Sequence, residues 1–286
     1  MEKIIILGAG GNIGSAVLKA LQGKQVEVFG GEFSEKLFGK IESFGAKPIL
    51  VDFNNPDSLA AALQGKDRVF LVTPLMQAPE KVTQLVLEAA QNNGLKHLVR
   101  STAYGADSQG QIQMARWAGA SEDLIRAAEI PYTIVRPYSF LQNFINFHSQ
   151  SIKAHNGFYL PVGDAKASLL DINDMAEAIA EIMTSEQHYG KTYAFSGLTY
   201  TFAELADILS KVVGRKISYI DVPEEQARQS MLDEQVPEWI VDASMELNYF
   251  TKQGWTAGYS ADYKNITGKE YTDAETFFMN HKEVFL

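Results

Sequence analysis

The sequence predicts an α/β fold: a doubly wound parallel sheet with a smaller C-terminal α+β lobe. Three observations carry this expectation. Short β-rich runs alternate with helical patterns through the first half of the chain, the order that βαβ units produce. Several runs are apolar nearly throughout, as in Val69-Phe70-Leu71-Val72 and Ile130-Pro131-Tyr132-Thr133-Ile134-Val135, which suits strands covered on both faces. After about residue 155 the alternation becomes less regular.

The first strand candidate, 3–7, runs into Gly8-Ala-Gly-Gly-Asn-Ile-Gly14, and Ala16, Val17, Ala20 and Leu21 follow at helical spacing. Gly8 suits a tight turn, Gly10 and Gly11 let backbone N–H groups approach a pyrophosphate, and Gly14 lets helix and strand pack closely. The helix N-terminus adds partial positive charge. Strand, glycine turn and helix together predict a Rossmann-type dinucleotide site. Further strands are expected at 25–29, 47–51, 67–73, 96–101 and 131–136. Helices are expected near 12–22, 34–44, 56–63, 78–92 and 111–128, with Pro56 and Pro79 at tolerated first-turn positions. Ligands bind such sheets at the carboxyl ends of the strands. The loops beginning at Gly8, Gly30, Asp52, Thr73, Ser101 and Arg136 are therefore the ones to watch.

The second half offers strands at 157–161, 168–171, 191–196 and 217–221 and helices at 172–184, 201–212 and 223–232, with Asp171 and Thr201 as N-caps. The tail from 236 to 286 is rich in aromatic residues, among them Trp239, Tyr249, Phe250, Trp255, Tyr259 and Tyr263, which read as core of the small lobe. The expected division is a dinucleotide-binding domain over 1–155 and a smaller substrate-side lobe over 156–286, integral to the same fold.

Composition narrows the function. A net charge of −10 argues against a nucleic-acid partner, which needs clustered Lys and Arg. Cysteine is absent, so disulfides, thiolate metal sites and a cysteine nucleophile are excluded. The five histidines lack ligand spacing, and no metal is expected. No apolar stretch reaches the length of a membrane span, and Glu2 and Lys3 open a strand rather than a signal peptide, so a cytoplasmic protein is expected. A homodimer is compatible with the sequence.

The wider pattern resembles the NmrA-like branch of the atypical short-chain dehydrogenases/reductases, nearly end to end. The resemblance rests on the glycine turn, on Val51-Asp52-Phe53 with Asn54 to Leu59, on Lys96-His-Leu-Val-Arg-Ser101, and on Ile130-Pro-Tyr-Thr-Ile-Val-Arg-Pro137 with Phe140 and Asn143. It continues through Leu170 to Ala176, Thr201 to Ala206 and Gly214 to Ile217. Within the branch it is most similar to bacterial quinone reductases and triphenylmethane reductase. The resemblance implies that Gly8, Gly11, Asn12, Ile13 and Gly14 hold the pyrophosphate of NADP(H) or NAD(H). It implies that Asp52 and Phe53 flank the adenine, that Thr73 and Pro74 border the cofactor, and that Arg136 to Phe140, including Pro137 and Tyr138, pass near the nicotinamide. By the same analogy Tyr138, Phe140 and Asn143 would wall the acceptor site. For Asp52, a turn carboxylate is the structural alternative.

Two departures qualify it. NADP-preferring relatives usually carry Arg just past strand two, where this chain has Gly30, Gly31 and then Glu32. A carboxylate pointing inward would repel a 2′-phosphate, while Lys36 or Lys40 could still reach one; the family's NADP(H) is weakened but favoured, with NAD(H) as the alternative. Second, no Tyr-x-x-x-Lys occurs between residues 90 and 170, and Ala118 stands where relatives carry Lys or His. Reducing a simple ketone makes an alkoxide that holds a proton with a pKa of about 16, so an acid must be close by. Reducing a quinone makes a phenolate-like anion of pKa roughly 10. The expected activity is therefore NAD(P)H-dependent reduction of a quinone-like or extended aromatic acceptor, with Ser101, Thr102 and Tyr104 as the candidate catalytic hydroxyls. A non-catalytic cofactor-sensing regulator is the alternative.

Overall fold

The computed structural model describes all 286 residues, which form two compact units. The first comprises Met1–Pro137, Ile172–Ala194 and Asp262–Lys269, and the second comprises Tyr138–Asp171, Phe195–Ala261 and Glu270–Leu286. The units do not follow a single division between 155 and 156.

Along the chain the first unit begins with β1 (Glu2–Leu7), α1 (Asn12–Ala20), β2 (Val26–Glu32), α2 (Phe38–Ser43), β3 (Lys47–Leu50), α3 (Pro56–Leu63), β4 (Arg68–Leu71), α4 (Pro79–Asn92), β5 (His97–Ser101), α5 (Gln113–Ala127) and β6 (Tyr132–Pro137). The second unit opens with β7 (Ser139–Phe140), α6 (Ser149–His155), β8 (Gly157–Leu160) and β9 (Lys166–Leu170). The chain then supplies α7 (Ile172–Met183) and β10 (Lys191–Phe195) to the first architecture. β11 (Leu198–Thr201), α8 (Phe202–Val213), β12 (Ser218–Asp221), α9 (Glu224–Asp233) and α10 (Glu238–Lys252) follow in the second unit. Last come α11 (Asp262–Thr267) in the first unit and α12 (Ala274–Asn280) in the second.

The main sheet has seven strands in the order β10-β6-β5-β4-β1-β2-β3, and β1 to β6 pair in parallel. Ile4 to Leu7 and Val69 to Leu71 are wholly buried, as the continuous apolar runs require for strands covered on both faces. Ile5, Leu7, Val69, Leu71, Leu98 and Ile134 share one core with Leu59, Val82 and Val86 from α3 and α4. On the opposite side α1 packs against α7, which explains why a late segment belongs to the first unit. The strand order reverses between β1 and β4, and the crevice for a ligand lies at their carboxyl ends.

The structure corrects the expected end of strand two. β2 continues through Gly30 and Gly31 to Glu32, because Gly30 pairs with Pro48 and Gly31 with Ile49 of β3. The two glycines are strand residues rather than the start of a loop. In the second unit β11 and β7 flank β9, antiparallel and parallel respectively, and β8 pairs with β12. Its core gathers Phe144, Phe158, Phe277, Phe278 and Phe285. Thr201 caps α8 as expected, in a reciprocal capping box with Glu204. The aromatic tail is only partly core of the second unit: Tyr271 is buried there and Tyr263 in the first unit, but Tyr249, Trp255 and Tyr259 are exposed. No helix is long and apolar enough to cross a membrane.

At the amino end of β5, His97 is wholly buried. Its Nε2 lies 2.9 Å from Thr133 Oγ1, its ring tilts against Tyr189 at 4.5 Å, and its Nδ1 has no partner. Burial, reinforced by Arg68 and His188, pulls its pKa down to about 3. In the second unit burial pulls His148 down to about 4. Between these values and the ordinary 6.5 the unfolded chain binds protons that the folded chain does not, so stability falls as pH falls through that window. Urea midpoints should decline between about pH 6 and pH 4, with each histidine contributing up to about 1.4 kcal/mol per pH unit. His97→Asn should flatten the slope, and an unchanged slope would remove His97 as its source.

Candidate functional site

The glycine turn forms a cradle open to an anion. Gly8 has φ +86°, a conformation that disfavours a side chain, and a Cβ there would stand 2.3 Å from Val72 O at the end of β4. A Cβ on Gly14 would stand 2.1 Å from Gly8 O, so α1 rests directly on the turn. The first helical bond runs from Ser15 N–H to Gly11 O, and no side chain caps α1. The N–H groups of Asn12, Ile13 and Gly14 thus precede the helical ladder at a positive helix end. This is the chemistry a pyrophosphate needs, and Gly11, Asn12, Ile13 and Gly14 are the residues that would hold it. Gly10 is different: its N–H donates to Glu32 Oε2 at 2.8 Å.

Beside the turn lies a cleft of about 570 Å³ whose lining includes Asp52, Phe53, Thr73 and Pro74. One cleft is therefore lined by Asp52 and Phe53, expected to flank the adenine, and by Thr73 and Pro74, expected to border the cofactor. It adds Phe33, directly after β2 and 67 % exposed, which the sequence reading missed. The signal for Phe33 was an aromatic following an acidic strand end. Asp52 has a turn role as well: its Oδ1 accepts from Asn54 N–H at 2.9 Å, and its own N–H donates to Ser58 Oγ. Beneath the cleft's Thr73, the buried Arg100 donates to Leu71 O and to Thr73 Oγ1, each at 3.2 Å. Burial pulls its guanidinium down to about 10, partly offset by Glu122, so it stays cationic at neutral pH.

The three candidate hydroxyls divide at the end of β5. Ser101 is the buried last residue of the strand. Thr102 donates its hydroxyl to Glu122 Oε1 at 2.7 Å and is committed there. Tyr104 is 45 % exposed, and its backbone N–H bonds Pro137 O at 2.8 Å, which ties the β5 loop to the end of β6. Glu122, wholly buried on α5, also accepts from Arg136 Nε at 2.8 Å and Arg126 Nη2 at 2.8 Å. The hydrogen bonds and charge of Glu122 push Arg136 above its ordinary pKa. This network was not foreseen; its signals were an arginine next to the end of a largely buried strand and an acid four residues before Arg126. Ala118 is half-buried on α5, so that helix carries no lysine or histidine at the expected position.

The other assigned residues are in or next to the second unit. Pro137 is the last residue of β6. Tyr138 N–H bonds Phe195 O, and the Tyr138 hydroxyl oxygen would stand 3.0 Å from a Cβ on Gly258. Phe140 lies on β7 opposite Leu170, and Asn143 Nδ2 donates to Ser139 Oγ at 3.3 Å. No cluster of His, Asp and Glu could hold a metal ion.

Known proteins share the sequence pattern and the fold. An NAD(P)H azoreductase from Xenophilus azovorans is 30 % identical over 283 residues, 99 % of both chains. The structure of the Citrobacter sp. triphenylmethane reductase matches with a TM-score of 0.85 at 25 % identity, covering 98 % of this chain and 99 % of that one. The quinone oxidoreductase of Escherichia coli, solved with NADPH, shares the fold with a TM-score of 0.86 at 21 % identity, covering 98 % and 99 %. The NmrA-like family model matches residues 1–278, and the chain belongs to the NmrA-like family.

Proposed function

We propose that this chain is an NAD(P)H-dependent reductase that transfers hydride to a quinone-like or extended aromatic acceptor. What supports this reading is a glycine turn whose helix start carries no side-chain cap, in a sequence with no Tyr-x-x-x-Lys between residues 90 and 170. When bound, the reduced nicotinamide supplies the hydride. Asn12, Ile13 and Gly14 hold the pyrophosphate through their N–H groups, and Phe33, Phe53 and Pro74 offer apolar faces to the adenine. Ser101 and Tyr104 are assigned to the reacting end, where either hydroxyl can meet the developing anion. Thr102, between them, is held to Glu122 and fixes the chain where β5 ends. Phe140 and Asn143 are assigned to the acceptor.

The acceptor class follows from proton demand. A conjugated acceptor spreads the incoming charge over its own framework and leaves an anion near the phenol range, about 10, rather than near 16. A cationic dye is simply neutralised. The protein then has to orient the two partners and exclude water. The names of the azoreductase, the triphenylmethane reductase and the quinone oxidoreductase support this reading, because all three point to conjugated acceptors.

Purified protein supplied with NADH or NADPH should oxidise it in proportion to the quinone, azo dye or triphenylmethane dye consumed, and should leave simple ketones unreduced. Dinucleotide binding without turnover on any of these acceptors would replace the reductase by a cofactor-sensing regulator. A second expectation concerns the loop after Ser101 that carries Tyr104. Glu122→Ala leaves Arg136 without its buried partner and should cost about 3–5 kcal/mol in urea unfolding. A midpoint within error of the parent's would show that the network does not hold the loop.

A further inference from the structure

We propose that Arg100 is a specificity-determining cation, which makes the reacting end favour neutral or anionic conjugated acceptors over cationic dyes. The proposal rests on the reductase reading above and names its acceptor class. Arg100 is the penultimate residue of β5, one before Ser101, and is 3 % exposed. Its hydrogen bonds go only to neutral groups: Nη1 donates to Leu71 O and Nη2 to Thr73 Oγ1, each at 3.2 Å, and Nε has no partner. A buried guanidinium without a carboxylate bonded to it is costly to keep, and its field is strong because water is not there to screen it. Burial lowers its pKa only to about 10, so the charge is present at neutral pH.

The neighbouring acid does not cancel this charge. Glu122, the carboxylate whose charge reaches Arg100, bonds Arg126, Arg136 and Thr102 instead. Arg126 also lies 4.0 Å from Asp123, which is exposed and screened by water. Three arginines thus face two carboxylates, and one positive charge is left over around the end of β5. Positive charge there favours an acceptor that takes up negative charge and opposes one that arrives positive. Two acceptors that differ by one unit of charge keep that difference from binding through hydride transfer, so kcat/KM reads the field. The chain as a whole acts in the opposite sense, because a net charge of −10 attracts cations. Salt separates the two effects: it screens surface charge strongly and a buried charge weakly.

The test compares kcat/KM for a neutral naphthoquinone and a cationic triphenylmethane dye on the full chain, on Arg100→Met and on Arg100→Lys, in high salt. Arg100→Met fills similar space without the charge and should raise the dye-to-quinone ratio by about tenfold or more, the scale of one unfavourable charge contact. The gain should come chiefly through a lower KM for the dye. Arg100→Lys should keep the parent's ratio. A merely structural role would lower both acceptors together and leave the ratio alone. Should Arg100→Met fail to fold, the parent carries the test with two naphthoquinones alike except for a neutral or a trimethylammonium alkyl arm: the neutral one should have the higher kcat/KM in high salt. An unchanged ratio in folded Arg100→Met, or a parent that prefers the cationic quinone in high salt, overturns the role of Arg100 and leaves the reductase reading standing. No turnover with any of these acceptors overturns both.

Discussion

The contact between α1 and the turn beneath it is the constraint on which the ligand end of the first unit depends. With a Cβ at Gly14 standing 2.1 Å from Gly8 O, any side chain there would push the helix off the turn and away from β1. The close approach brings three unpaired N–H groups to the crevice where the strand order reverses. It also sets the height of Gly10 relative to β2. Because Leu7 pairs with Gly31, the next residue, Glu32, comes level with the turn and meets the Gly10 amide. A packing requirement between two glycines thus decides where a carboxylate stands.

Charge at this end of the sheet is buried and held. Glu32 is fixed by backbone amides, Arg100 by a carbonyl and a hydroxyl, and Glu122 by two arginines and Thr102. Water cannot reorient around such groups as it does at a surface, so their fields keep fixed directions. The only orphan among them is Arg100 Nε, a buried donor without a partner. Burial accounts for the lowered proton affinity of that guanidinium, and the neighbouring Glu122 for its retained charge.

Much of the parallel sheet was legible because a doubly covered strand has to be apolar throughout, and Ile4 to Leu7 or Val69 to Leu71 have few other uses. The end of β2 was not, since Gly30 and Gly31 carry no strand preference of their own and are ordered by pairing with Pro48 and Ile49. β7 has only two residues and β11 reads Leu-Thr-Tyr-Thr, too short and too polar to stand out. At the site, the glycine turn announced itself through its flanks. The partner of Gly10 lay 22 residues away and could be found only through space. A glutamate within a helix carries no local sign that it is buried. The burial of Glu122 follows from the end of β6 lying against α5, which local spacing does not encode.

The interleaving of the two units has a consequence for how the chain acquires its shape. The edge strand β10 and the covering helix α7 come from beyond Ile172, and Tyr263 and Lys269 bond to Glu177 on that helix from later still. During synthesis, which proceeds from the N-terminus, the first six strands therefore wait with an open edge at β6 and an uncovered α1. Contacts of such long sequence separation slow folding, because the loop must close before it is rewarded. The glycine turn, made well before α7, is among the last parts of the molecule to gain its full support.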